Sequence, residues 1–110
     1  MIRMLSILAL ITCSSMVHAG IPKGKVMTIN AYVSSFGCGE DACYVSIDKS
    51  GGETIQAVCS SAKICEIWAN KLGDKDELHI DQKARVTLKS EYFQSAGENF
   101  WHVKKVVLLK

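Results

Sequence analysis

The chain is expected to fold as a small, mainly β, five-stranded barrel with one helix between its third and fourth strands and two disulfides. Three observations carry this expectation. Apolar residues alternate with period two in several separate runs, the mark of strands with one buried face. One run after a Gly-Gly turn switches to helical period. Four of the five cysteines lie between Cys38 and Cys65, in C-GEDA-CYVSIDKSGGETIQAV-C-SSAKI-C.

In chain order, Met1–Ala19 reads as a secretory signal peptide. It has a positive start at Arg3, an apolar run from Met4 to Thr12, and a Val17-His18-Ala19 end suited to cleavage. The run is too short to span ~30 Å of hydrocarbon, so no transmembrane segment is expected. A lipoprotein acylated at Cys13 is the disfavoured rival, because Thr12 is a poor lipobox residue. The single domain expected is 20–110, placed in the periplasm or outside the cell.

Lys25–Phe36 is the first strand, with Met27, Ile29, Ala31 and Val33 on one face. Val26 and Phe36 break that split, as a strand does when it curls between two sheets. Gly37–Ala42 is an acidic loop. Cys43–Asp48 and Glu53–Cys59 form a hairpin around Ser50-Gly51-Gly52. A three-residue loop sets Ile47 opposite Ile55, Val45 opposite Ala57 and Cys43 opposite Cys59, all on the apolar face. A two-residue turn would slip every pair to the wrong face.

Ser60 or Ser61 can cap a helix over Ser61–Leu72, whose stripe Ile64, Ile67, Trp68 and Leu72 would be buried. Asp74–Gln82 reads as a charged connection. Ala84–Phe93 is the fourth strand, Gln94–Asn99 a loop, and Phe100–Leu109 the last strand, its alternation broken at Lys104-Lys105. The order β-β-β-α-β-β is that of an OB-like Greek-key barrel plugged by its helix. An open α+β sheet is the alternative.

Four cysteines in an exported chain argue for two disulfides. The hairpin register points to Cys43–Cys59, which leaves Cys38–Cys65. Cys38–Cys43 with Cys59–Cys65 is the local rival. A zinc site would need tighter spacing, so no metal is expected. There is no C-x-x-C for redox catalysis. His79 and His102 have no companion ligand at metal spacing, and the loop acids Glu40, Asp41, Asp74, Asp76 and Glu77 follow no calcium-loop pattern. No catalytic residue and no cofactor are expected.

Thirteen Lys and Arg stand against eleven Asp and Glu, and Arg3 lies in the leader. A near-neutral balance gives no drive toward nucleic acid. Tyr32, Tyr44 and Trp101, with Asn30 and Gln56 nearby, are the candidate ligand contacts, since exposed rings on such barrels stack on sugars or bases. The bland reading is that half of the aromatic residues complete the core.

The stretch CYVSIDKSGGETIQAVCSSAKICEIWANKL, followed by ARVTL, resembles the hairpin, helix and fourth strand of subtilase- and pertussis-type toxin B subunits. The matching positions are Cys43, Cys59, Ser60, Trp68 and Val86. More broadly the chain is similar to small periplasmic bacterial OB-fold proteins. The toxin resemblance implies glycan binding and ring assembly, hence a possible homo-oligomer. The extra pair Cys38 and Cys65, the different first strand and the lack of a C-terminal cysteine pair depart from that pattern. The function expected is therefore an exported, non-enzymatic binding module for a glycan or small polar ligand. A periplasmic protein-binding, inhibitory or accessory role is the alternative, and an uncharacterised enzyme is the third reading.

Overall fold

The computed structural model describes residues 21–109. The leader and Cys13 lie outside the described residues. Strands β1 (Val26–Cys38), β2 (Cys43–Asp48) and β3 (Thr54–Val58) precede helix α1 (Lys63–Leu72), followed by β4 (Leu78–Phe93) and β5 (Glu98–Leu108). The strands close into a barrel in the order β1-β2-β3-β5-β4. All pairings are antiparallel except the short parallel seam where Val58 of β3 meets His102 of β5.

The hairpin has the expected register. Val45 faces Ala57 and Ile47 faces Ile55. Lys49 N–H donates to Glu53 O at 2.8 Å, and Gly52 supplies the positive φ of 91° that the loop needs. The breaks in alternation are also physical features. β1 changes register between Val33 and Ser35, with Ser34 the extra residue against β2. This lets Val33 and Phe36 both point inward, each only 1% exposed. In β5, Thr87 faces Lys105 while Leu88 faces Val103, so Lys104 is the bulged residue.

Inside, Val33, Phe36, Val45, Ile47, Ala57, Ala84, Val86, Leu88 and Val103 form the core. Helix α1 covers part of it with Cys65, Trp68 and Leu72, and the Trp68 indole lies 5.8 Å from the Phe36 ring.

The structure corrects several expectations. The disulfides are Cys38–Cys43 and Cys59–Cys65, not Cys43–Cys59 and Cys38–Cys65. The register behind the expected pairing is nonetheless present, because Cys59 N–H donates to Cys43 O at 2.8 Å. Register fixes which backbones face each other, but it does not choose the sulfur each thiol meets. The tight turn closed by Gly39 N–H to Ala42 O (2.8 Å) brings Cys38 opposite Cys43, with their Cα atoms 3.9 Å apart. The turn into α1 brings Cys65 within 5.4 Å of Cys59, Cα to Cα. Each ladder cysteine therefore bonds along the chain rather than across the hairpin.

Helix α1 begins at Lys63, later than Ser61, with Ala62 at the N-cap and no side-chain cap. Ser60 and Ser61 are spent in the turn after Cys59. Ile67 is 41% exposed rather than buried. The bond to Cys59 holds Cys65 inward, and the inward stripe becomes Cys65, Trp68 and Leu72, which turns Ile64 and Ile67 to the flank. β4 starts within the supposed connection, at Leu78. Leu78 and Ile80 alternate with exposed His79 and Asp81, and the added stretch of strand pairs Phe36 with Leu78 and Ser35 with His79.

Candidate functional site

The five candidate residues do not form one site. They divide between a face built on β2 and β3 and a separate cleft beside β1.

The outward side chains of β2 and β3 are set by the same alternation that buries Val45, Ile47, Ile55 and Ala57. Tyr44 and Ser46 therefore point out from β2, and Gln56 points out from β3. A cavity of about 230 Å³ lies over them, bordered by Ser35, Cys38, Asp76 and Glu77. Asp76 reaches this position because the chain before β4 passes close to β1 at Gly37. A Cβ there would stand 3.2 Å from the Asp76 carbonyl oxygen.

Gln56 also lines a smaller cavity of about 120 Å³ with Thr54, Ile55, Phe100 and Trp101. Tyr44, Gln56 and Trp101 thus border two adjoining hollows, with Gln56 between them. Trp101 is half-buried and packs against the core.

The Tyr44 ring is fixed on both sides. Its hydroxyl donates to Asp41 Oδ2 at 2.9 Å, and its ring meets Phe93 edge-on at 6.1 Å. Phe93 in turn packs on Phe100 at 5.4 Å and on the His102 imidazole at 5.9 Å. Val58, the strand partner of both Tyr44 and His102, is only 3% exposed. Partial burial, and then the Asp41 carboxylate, raise the Tyr44 phenol above its ordinary pKa. It is therefore a neutral donor at physiological pH.

Asn30 and Tyr32 belong to the other cleft, about 470 Å³, lined by Asp48, Lys49, Ser50, Lys83 and Leu109. The Tyr32 hydroxyl donates to Asp81 Oδ1 at 3.2 Å, and Arg85 Nε donates to Asn30 Oδ1 at 3.3 Å. Both polar groups already have protein partners, so a ligand there would compete with them.

Sequence reading treated Asp76 and Glu77 as solvated loop acids and missed their place at the cavity rim. His102 is half-buried, as a surface or half-buried structural role implies, but its place with Phe100 in this ring cluster is not read from the sequence. Their i, i+2 spacing on an outward strand face was the available signal. Lys104, which breaks the alternation of the last strand, pairs with Glu91 at 2.9 Å. Among the described residues no group of three His, Cys, Asp or Glu could hold a metal ion. Among the same residues no helix is long and apolar enough to cross a membrane. In comparisons with known proteins, the chain matches no family model, no curated protein and no solved structure.

Proposed function

We propose that this is an exported OB-like Greek-key module that binds a glycan or another small polar ligand on the outer β2–β3 face, without catalysing a reaction. Strand order β1-β2-β3-β5-β4, with α1 between β3 and β4, supports the OB-like reading. Two disulfides fit an oxidising compartment and so support export.

The observation that carries the functional reading is the position of Gln56 between two adjoining hollows, with the Tyr44 ring at one side. An amide offers both donors and an acceptor. Asp76 and Glu77 add acceptors for hydroxyl groups, and the immobilised Tyr44 ring adds a flat apolar edge. Sugars present this mixture of hydroxyls and apolar ring faces. The same carboxylates, with Glu40 and Asp41 in the β1–β2 turn, repel a phosphate backbone. The resemblance of the hairpin, helix and fourth strand to toxin B subunits adds support for glycans as the ligand class.

The test is a glycan panel and a single-stranded oligonucleotide titrated at the same moderate salt, against wild type and Gln56→Ala with Tyr44→Ala. Glycan binding that both substitutions weaken by about tenfold or more would bear the proposal out. Oligonucleotide binding that survives ~0.15 M salt, or glycan binding indifferent to both substitutions, would overturn it.

A further inference from the structure

We infer that the N-terminal half of β1, Val26–Ala31, is a homodimer interface, pairing antiparallel with the same segment of a second copy.

β4 occupies only one side of this segment. β2 joins β1 on the other side from Tyr32 onward, where Tyr32 faces Asp48. Ser90 N–H donates to Lys25 O at 2.8 Å. The alternation of an antiparallel ladder therefore turns the backbone groups of Met27, Ile29 and Ala31 toward β4. Those of Val26, Thr28 and Asn30 point to the side that no described strand occupies. The sense agrees at the next residue, since Tyr32 turns toward β2.

A free strand edge invites pairing, and proteins that must stay apart protect theirs with charge, proline or a bulge. Two of the partly unpaired strand stretches among the described residues show the contrast. Beyond His102, β5 has no described strand on its β3 side, and that stretch carries Lys104, Lys105 and the bulge at Lys104. The edge of β1 has none of these devices. From Val26 to Gly39 the chain contains no charge and no proline, and its register shift lies beyond Tyr32. Val26 is 57% exposed, and Met27 and Ile29 remain only half-buried although they face inward.

Self-pairing also fits the length of the gap. A two-fold axis at Thr28 sets Val26 against the partner's Asn30 and Thr28 against the partner's Thr28. Each such pair exchanges both backbone hydrogen bonds. One step further, Lys25 comes beside the partner's Ala31, at the mouth of the cleft bordered by Asp48, with Asp81 held on the Tyr32 hydroxyl. A straight chain would next strike β2. Instead the chain leaves the edge at Gly24, whose φ of 88° turns it back so that its N–H donates to Ser90 O at 2.7 Å. The strand therefore ends where the available space ends. This interface is independent of the β2–β3 face, so a failed glycan titration leaves it standing and the converse holds too.

Sedimentation velocity across the micromolar range, with amide hydrogen exchange at low and high concentration, tests it. The expected result is a concentration-dependent dimer in which the amides of Val26, Thr28 and Asn30 gain protection. Of the backbone groups, Thr28→Pro removes only a donor that faces the edge, and the side-chain bond between Thr28 Oγ1 and Thr87 Oγ1 (3.1 Å) is lost equally in the Thr28→Val control. Thr28→Lys sets two like charges opposite each other on the axis, and it serves if the proline variant fails to fold. Either should weaken dimerisation by at least about tenfold while near-ultraviolet circular dichroism is unchanged. Thr28→Val should leave dimerisation intact. A monomer throughout the range overturns the inference. So does a dimer indifferent to Thr28→Lys, and so does concentration-independent protection of the three amides, which would mean that this chain covers its own edge.

Discussion

The two disulfides are neighbours with nearly equal spans, yet they stand in opposite surroundings. Cys38–Cys43 closes a separation of five residues and Cys59–Cys65 one of six. The backbones of Cys43 and Cys59 are joined by a ladder hydrogen bond. Even so, Cys38 is exposed at a turn, whereas Cys59 and Cys65 are 1% and 2% exposed in the core. Loop-closure entropy treats such bonds alike, at roughly 2 kcal/mol each for rings this short. Burial separates them. The more exposed bond, with Cys43 half-buried and Cys38 at the rim of the proposed ligand face, contrasts with the buried one, which ties α1 to the end of β3 at Cys65.

The sharpest way to break this contrast is to attack the packing that the buried bond organises. Trp68 is 4% exposed and lies against Phe36. Trp68→Ala should cost ~3–5 kcal/mol in urea unfolding, from lost burial and the cavity left behind. A cost under ~1 kcal/mol would mean that the helix does not seal the core.

Next come the bonds themselves. Replacing Cys59 and Cys65 together by alanine should destabilise by ~3–5 kcal/mol, since lost core volume adds to lost constraint. The same change at Cys38 and Cys43 should cost about 2 kcal/mol. Under mild reductant, differential alkylation with mass spectrometry should find Cys38 and Cys43 labelled first, because thiolate attack requires access. Equal destabilisation and simultaneous labelling would erase the distinction drawn from burial.

The same contrast explains how much of the molecule was legible in the sequence. The number and order of the strands, the β2–β3 register and the inward faces follow from alternation, which is a local signal, but the start of β4 at Leu78 is masked by the charges of the stretch before Ala84. The pairing of cysteines does not follow, because it depends on how tightly the turns at Gly39–Ala42 and Ser60–Ala62 bring the chain back. Nor does the rotation of α1. Ile64, Ile67, Trp68 and Leu72 make as good a helical stripe as Cys65, Trp68 and Leu72, and the bond to Cys59 is consistent with the second, in which Cys65 is buried. The candidate site was legible as residue types but not as neighbours. Gln56 and Tyr44 share a rim, whereas Asn30 and Tyr32 lie in another cleft. Asp76 joins that rim through the close approach at Gly37, which no pattern of charge announces.

The smallest expected effect lies on the outside of the barrel wall, and it tests whether the bulge in β5 has an electrostatic role. Lys104 is the extra residue of that bulge, and its Nζ lies 2.9 Å from Glu91 Oε1. The Lys104 hydrogen bond is the main reason the Glu91 carboxyl is held below the ordinary glutamate range, against the opposing effect of partial desolvation. A depressed carboxyl pKa stabilises the fold above the unfolded-state value, and that contribution disappears as pH falls through the folded-state value. Side-chain exposures of 33% for Lys104 and 36% for Glu91 leave the pair screened by water, so it should contribute under about 1 kcal/mol. Lys104→Met keeps most of the aliphatic stem and removes the charge. Its stability deficit should be greatest near neutral pH, shrink with added salt, and vanish in acid once Glu91 is protonated. A deficit of the same size at every pH would assign the position of Lys104 to the geometry of the bulge instead. A deficit as large as that of the buried disulfide would overturn the ranking of the two sides of the wall.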